Sequence, residues 1–243
     1  MHKIIDLPPP PPLAEIAAGR AVALFLDFDG TLVEIADTPE GIHVPDGVPA
    51  QLDALHRVLD GRIAIVSGRT IADIQSHLGA LDVLMVGSHG AEIGEAAEHE
   101  AILSDASRAA IAALAAEWPR LLVETKPHGI AVHFRQEPEA APAVLQVMDD
   151  MAAREGLAAR RGKMVVELGP KSANKGVAVT SLMAAPPFAG ALPLFVGDDV
   201  TDEDGFAAVA AAGGSGILVG APRPTAARYR LPDPEAVHQW LIL

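Results

Sequence analysis

Two carboxylates, Asp27 and Asp29, stand two residues apart in the run Leu26-Asp27-Phe28-Asp29-Gly30-Thr31-Leu32. The preceding Ala21-Val22-Ala23-Leu24-Phe25 is wholly apolar and predicts a buried strand. The pair therefore falls where a strand stops and a glycine loop begins, which is where an open α/β sheet binds ligands. Like charges held so close cost free energy unless a cation or a reaction uses them. Mg²⁺ takes oxygen ligands and commonly shares its site with a substrate phosphate. Taken alone, the motif also reads as a solvated turn, with Asp and Gly in ordinary turn roles.

Three further segments bear on that choice. Ser67 ends the predicted strand Arg62 to Val66, Lys175 opens a helix in Asn174-Lys175-Gly176, and Asp198, Asp199 and Asp202 follow the apolar run Leu192 to Val196 and Gly197. With Asp27, Asp29 and Thr31, these should meet on one face of a sheet, and together they ask for phosphoryl transfer. One carboxylate attacks phosphorus and forms an acyl phosphate. A second gives a proton to the leaving oxygen and later activates water. Further carboxylates hold Mg²⁺, and a lysine and hydroxyl donors clamp the phosphoryl oxygens. Singly, each has a plainer reading: Ser67 as a loop hydroxyl, Lys175 as a solvated cation, Asp198 to Asp204 as an acidic helix start. But a lysine at a helix N-terminus opposes the helix dipole, and a helix start needs no buried strand and Gly before it.

The elements that must position these groups follow from periodicity. Apolar residues at helical spacing over Ala50 to Leu59, a strand over Arg62 to Val66, a helix over Thr70 to Leu78 with Thr70 as N-cap, and a strand over Leu81 to Val86 give a βαβ rhythm. The rhythm breaks after Gly87-Ser88-His89-Gly90. Helices over Ala106 to Trp118 and Ala141 to Glu155 alternate with strands over Leu121 to Thr125, Gly129 to Arg135, Leu157 to Arg161 and Met164 to Leu168. Beyond Lys175 it returns: a helix to Met183, the strand at Leu192, a helix near Asp202, a strand over Ser215 to Val219 and a helix over Pro234 to Leu241. The predicted fold class is α/β: a doubly wound parallel-sheet, Rossmann-like core interrupted by an inserted α+β cap. The division is a Pro-rich lead-in over 1–20, a core over 21–92 and 171–243, and a cap over 93–170. Glycines near both crossings, Gly90 to Gly94 and Gly169 to Ser172, suit a hinge.

Composition narrows the partners. The 243 residues carry 18 basic and 32 acidic side chains, a formal charge of −14, which opposes binding to nucleic acid or to an anionic membrane. An anionic substrate must therefore be drawn in by a metal or by a few placed Lys and Arg. There is no cysteine, which excludes thiolate catalysis, disulfides and Cys-type zinc sites. No apolar run reaches the roughly 20 residues of a membrane span, and Pro8 to Pro12 follow too closely on Ile4-Ile5 for a signal peptide. A monomeric cytoplasmic protein acting on a small molecule is the expectation.

Taken together, the four segments resemble the motifs of the haloacid dehalogenase superfamily of phosphatases. The resemblance implies Asp27 as nucleophile and Asp29 as general acid/base, with Thr31 in the same motif. It implies Asp198 as a metal ligand together with the Asp27 carboxylate and the Asp29 main-chain carbonyl, with Asp199 and Asp202 behind them. Ser67 and Lys175 would bind the transferring phosphoryl group, and Mg²⁺ would be the cofactor.

A narrower likeness is to trehalose-6-phosphate phosphatases with a C2B-type cap. It rests on Ile65-Val66-Ser67-Gly68-Arg69, Gly87-Ser88-His89-Gly90-Ala91-Glu92, Gly197-Asp198-Asp199-Val200-Thr201-Asp202-Glu203-Asp204, and the cap segments Glu124-Thr125-Lys126, His133-Phe134-Arg135 and Val166-Glu167-Leu168. It implies hydrolysis of trehalose 6-phosphate in trehalose biosynthesis, with Glu124, Lys126, His133, Arg135 and Glu167 on the sugar from the cap, and Arg69, Ser88 and His89 from core loops. Alternation places Glu124 with Lys126, and His133 with Arg135, on shared strand faces. A solvent-facing sheet with cross-strand charge pairs would show the same pattern. Alternatives are phosphatases of sucrose phosphate or of mannosyl- or glucosyl-phosphoglycerate. A sensor without turnover would not need both Asp27 and Asp29.

Overall fold

The computed structural model describes residues 6–94 and 103–242. In chain order the strands are β1 (Val22–Leu26), β2 (Ile63–Val66), β3 (Leu84–Gly87), β4 (Glu92–Ile93), β5 (Leu122–Lys126), β6 (Gly129–His133), β7 (Ala158–Gly162), β8 (Val165–Gly169), β9 (Leu192–Gly197), β10 (Ser215–Val219) and β11 (Tyr229–Leu231). The helices are α1 (Leu13–Ala17), α2 (Val48–Val58), α3 (Ile71–Leu78), α4 (Asp105–Glu117), α5 (Ala141–Glu155), α6 (Lys175–Met183), α7 (Glu203–Ala211) and α8 (Pro234–Trp240).

The strands form two sheets. One has seven strands in the order β11-β10-β9-β1-β2-β3-β4, parallel except for the antiparallel edge strand β4. All five residues of β1 are buried, because helices cover both faces. Alternation divides the strands between two apolar layers. Leu24, Leu26, Ile63, Ile65, Leu194 and Val196 pack with Leu52, Leu55, Ile71, Ile74 and Val237 from α2, α3 and α8. Phe25, Val66, Phe195 and Leu218 pack on the other face with Val179, Phe206 and Val209 from α6 and α7. Phe195 and Phe206 meet edge to face with centroids 5.7 Å apart. Full burial of a Phe side chain contributes about 1.5–3 kcal/mol, so these layers fix the level at which β1, β2 and β9 end.

The second sheet is antiparallel, in the order β5-β6-β8-β7. Ile130, Val132, Val166 and Leu168 turn toward Ile111, Leu114, Val144, Met148 and Met151 of α4 and α5. The other face takes the alternate residues. Glu124 is paired with Ala131, Ala131 with Glu167, and Glu167 with Arg160, so one row across the sheet carries three charged side chains.

Elements begin where side chains can cap them. Thr70 accepts from the Asp73 amide at 3.1 Å, and Asn174 accepts from the Val177 amide at 2.7 Å. Three elements were not anticipated: α1 directly after the Pro run, and the strands β4 and β11, which at two and three residues are too short to show alternation. Among the described residues, no helix is long and apolar enough to cross a membrane.

Candidate active site

The carboxyl ends of β1, β2 and β9 and the start of α6 meet at one place. Asp27 follows β1 directly and is 4% exposed. Lys175 reaches it from α6, donating from Nζ to Asp27 Oδ1 at 2.7 Å and to Asp202 Oδ1 at 2.6 Å. Asp202 also accepts from the Asp199 amide through Oδ2 at 2.8 Å, while Asp199 accepts from the Val200 amide. Both Asp202 oxygens are thus engaged. Gly30, at φ +75°, turns the chain back under Asp29, and a β-carbon there would collide with the Asp198 carboxylate.

Asp27, Asp198 and Asp202 each offer an oxygen, all within 4.8 Å of one another. Burial, then the Asp202 charge, pushes Asp27 well above the ordinary carboxylate range, against Lys175. Burial, then Asp202, likewise raises Asp198 to about 6, against Lys163. Lys175 is held above its ordinary value: burial works against its charge, but Asp202 and Asp27 outweigh it.

A cavity opens above this floor, lined from both sheets by Asp27, Asp29, Ser67, Lys175, Asp198 and Asp199 below and by Glu124, Lys126, His133, Arg135 and Glu167 above. Lys126 Nζ donates to Glu167 Oε2 at 2.5 Å and to the Gly68 carbonyl at 2.9 Å. Burial resists charge on Glu167, but Lys126 and then His89 hold it down at about 2. His133 Nε2 lies 3.0 Å from Glu124 Oε2. Arg135 donates to the Lys163 carbonyl at 3.1 Å. His89, at φ +55°, lines the cavity with Nε2 3.5 Å from Glu167.

Three residues expected at the site stand off the cavity lining. Asp202 lies behind Lys175. Thr31 is fully buried, with no hydrogen-bond partner for its hydroxyl. Ser88, at φ +48°, gives its hydroxyl to Glu92 Oε1 at 2.5 Å. Arg69 lines the cavity, but its guanidinium is bonded to Asp29, Asp73 and the Pro39 carbonyl.

Two cavity cations escaped sequence reasoning. Lys163, on the turn between β7 and β8, forms an ion pair with Asp198, and its amide donates to Asp199 Oδ2 at 3.3 Å. Arg160 donates to the carbonyls of Pro170 and Ala173, bracing the chain between β8 and α6. The acidity of the chain was the available signal: it demands local cations, and the run Arg160-Arg161-Gly162-Lys163 supplies them.

Residues 25–235 match the trehalose-phosphatase family model. A probable trehalose-phosphate phosphatase of Sinorhizobium fredii is 38% identical over 228 residues, covering 88% of this chain and 84% of that protein. The trehalose-6-phosphate phosphatase of Escherichia coli is 34% identical over 226 residues, covering 90% and 85%. The C-terminal domain of a Candida albicans trehalose-6-phosphate phosphatase shares the fold, with a TM-score of 0.82 over 97% of this chain and 96% of that one at 24% identity. A core with two carboxylates at the end of its central strand, closed over by a charged antiparallel sheet, thus stands with its relatives: the chain belongs to the trehalose-phosphatase family of phosphoric monoester hydrolases.

Proposed function

We propose that the chain hydrolyses trehalose 6-phosphate to trehalose and phosphate through an aspartyl phosphate on Asp27. The observation that carries this reading is the placement of Asp27 and Lys175 under a sheet that presents Glu124, Lys126 and Glu167 into the same cavity. The floor suits a phosphoryl group and the roof suits hydroxyls, which charged side chains bind by directed hydrogen bonds.

Asp27 attacks phosphorus while Lys175 and the Ser67 hydroxyl hold phosphoryl oxygens. Asp29 gives a proton to the departing sugar oxygen, then takes one from the water that attacks the aspartyl phosphate. The donor set fits Mg²⁺: it is all oxygen, and its three buried carboxylates, Asp27, Asp198 and Asp202, outnumber the two cations paired with them, Lys175 and Lys163. Asp27, Asp29 and Asp198 open on the cavity and Asp202 does not, so the Asp27 and Asp198 carboxylates and the Asp29 main-chain carbonyl would hold the ion, with Asp199 and Asp202 behind. Bound there, Mg²⁺ would neutralise charge on the phosphoryl oxygens.

We read residues 21–92 and 171–243 as the catalytic core and 93–170 as the cap that selects the sugar. Phosphate release from a panel of sugar phosphates, with and without EDTA, tests the reading. Trehalose 6-phosphate should be the best substrate and EDTA should abolish turnover. Preference for sucrose phosphate or a glycosyl phosphoglycerate would overturn the substrate assignment.

A further inference from the structure

Arg69 and Asp29 form a two-point pair at the rim of the floor. Arg69 Nε donates to Asp29 Oδ2 at 2.7 Å and Nη2 to Asp29 Oδ1 at 2.8 Å. The guanidinium is itself clamped. Nη1 donates to Asp73 Oδ2 on α3 at 2.5 Å, Nη2 also donates to the Pro39 carbonyl at 2.8 Å, and the group lies 5.8 Å from the Phe28 ring centroid. The Arg69 amide donates to Ser67 Oγ at 3.1 Å, which ties the residue to the phosphoryl-binding loop. Four of the five guanidinium N–H donors are spent on protein oxygens, so little remains for a sugar. A two-point fork of this kind fixes the plane of a carboxylate as well as its position.

We propose that Arg69 is a positioning residue that holds the Asp29 carboxyl group in the orientation from which it transfers protons at the leaving oxygen. The proposal rests on the reading of Asp29 as the general acid/base. In the first half-reaction the Asp27–phosphorus bond forms and the phosphorus–sugar oxygen bond breaks. The Asp29 carboxyl proton passes to that oxygen, releasing the sugar as an alcohol and leaving Asp29 as carboxylate. In the second, water attacks phosphorus, the Asp27–phosphorus bond breaks, and a water proton returns to Asp29. The fork occupies one lone pair on each Asp29 oxygen and leaves another on each for the travelling proton.

Leaving-group dependence separates this role from sugar binding. Substituted phenyl phosphates have no sugar, and their leaving oxygens range from weakly to strongly basic. Rates on them should be measured at one pH, with Mg²⁺, on the full chain. The wild type should show a shallow dependence of kcat/KM, which reports the first half-reaction alone, on leaving-group basicity, and Asp29→Asn a steep one. Arg69→Met should approach the Asp29→Asn slope, with KM nearly unchanged. Its loss on the most basic phenolate should tend toward the about 10²–10⁴-fold that general acid catalysis supplies. Arg69→Lys keeps the charge without the fork and should fall between, as should Asp73→Ala, which removes the acceptor that clamps Nη1. These two decide the matter if Arg69→Met does not fold by circular dichroism. Equal losses on every phenolate, or losses confined to sugar phosphates through KM, would overturn the positioning role while leaving Asp29 as the acid. A shallow slope for Asp29→Asn would overturn the reading of Asp29, and the proposal with it.

Discussion

The Lys126 ammonium lies 2.9 Å from the Gly68 carbonyl oxygen, so a side chain of the antiparallel sheet is bonded to the loop that carries Ser67. The same ammonium holds Glu167 at 2.5 Å. One buried cation therefore sets both the height of the roof and the orientation of a roof carboxylate.

Replacing roof residues should affect sugar phosphates selectively. Glu124→Ala, Lys126→Met, Arg135→Ala and Glu167→Gln should each lower kcat/KM for trehalose 6-phosphate about tenfold to a hundredfold, the cost of about 1.5–3 kcal/mol for a lost charged hydrogen bond. Activity on p-nitrophenyl phosphate should change little. Steady-state kinetics on both substrates checks this. Equal losses on the two would assign these residues to folding or to general chemistry.

Metal dependence should follow Asp198 more than Asp199. Asp198 is 4% exposed at the end of β9 and opens on the cavity beside Asp27. The Asp199 side chain is occupied with the Val200 amide and the turn it caps. Asp198→Ala should abolish Mg²⁺-dependent turnover and calorimetric Mg²⁺ binding, while Asp199→Ala should weaken them. Intact Mg²⁺ binding by Asp198→Ala would reverse the assignment.

Glu167 should make the fold sensitive to acid. Its pKa falls from 4.5 in an unconstrained chain to about 2, with Lys126 and His89 outweighing burial. A depressed carboxyl stabilises the fold fully above the unfolded pKa, and the contribution fades as pH drops through the folded one. Stability should thus decline between about pH 4.5 and pH 2, by up to about 3 kcal/mol from this group. Denaturant unfolding of the wild type and Glu167→Gln across this range should show a smaller decline in the variant. Parallel curves would mean that Glu167 is not held as an anion.

The two sheets should separate when their cationic ties are removed. Lys126 reaches the Gly68 carbonyl and Lys163 reaches Asp198, both across the cavity. A Lys126→Met/Lys163→Met protein should show a larger radius of gyration by small-angle scattering. It should also be cleaved faster by protease near residues 169–172. Unchanged scattering and cleavage would mean that other contacts hold the sheets together.

The floor of the site was legible in the sequence because each of its parts is local. Asp27 and Asp198 directly follow apolar strands, and Lys175 follows the Asn174 cap, so periodicity alone brought them to one edge. The roof was legible in type but not in contact. Alternation put Glu124 and Lys126 on one face, whereas the Lys126 bond to Gly68 ends on a main-chain oxygen, which no residue identity marks. Lys163 and Arg160 were missed because a cation in a hairpin looks the same whether it faces solvent or another sheet. Lys163 meets Asp198 only through the stacking of two elements 35 positions apart. Ser88 reads as a polar loop residue, and only its left-handed backbone shows that the hydroxyl turns to Glu92 and away from the cavity. The role of Arg69 was likewise hidden, since its partners Asp29, Asp73 and Pro39 come from three separate segments.

The central claim, covalent catalysis by Asp27, is tested most directly by trapping the intermediate. The enzyme is mixed with trehalose 6-phosphate and Mg²⁺, quenched in acid during turnover and reduced with borohydride, which converts an aspartyl phosphate to homoserine. Peptide mass spectrometry should find homoserine at position 27, absent without substrate. Homoserine at another aspartate, or none while a burst of sugar is released, would contradict the account.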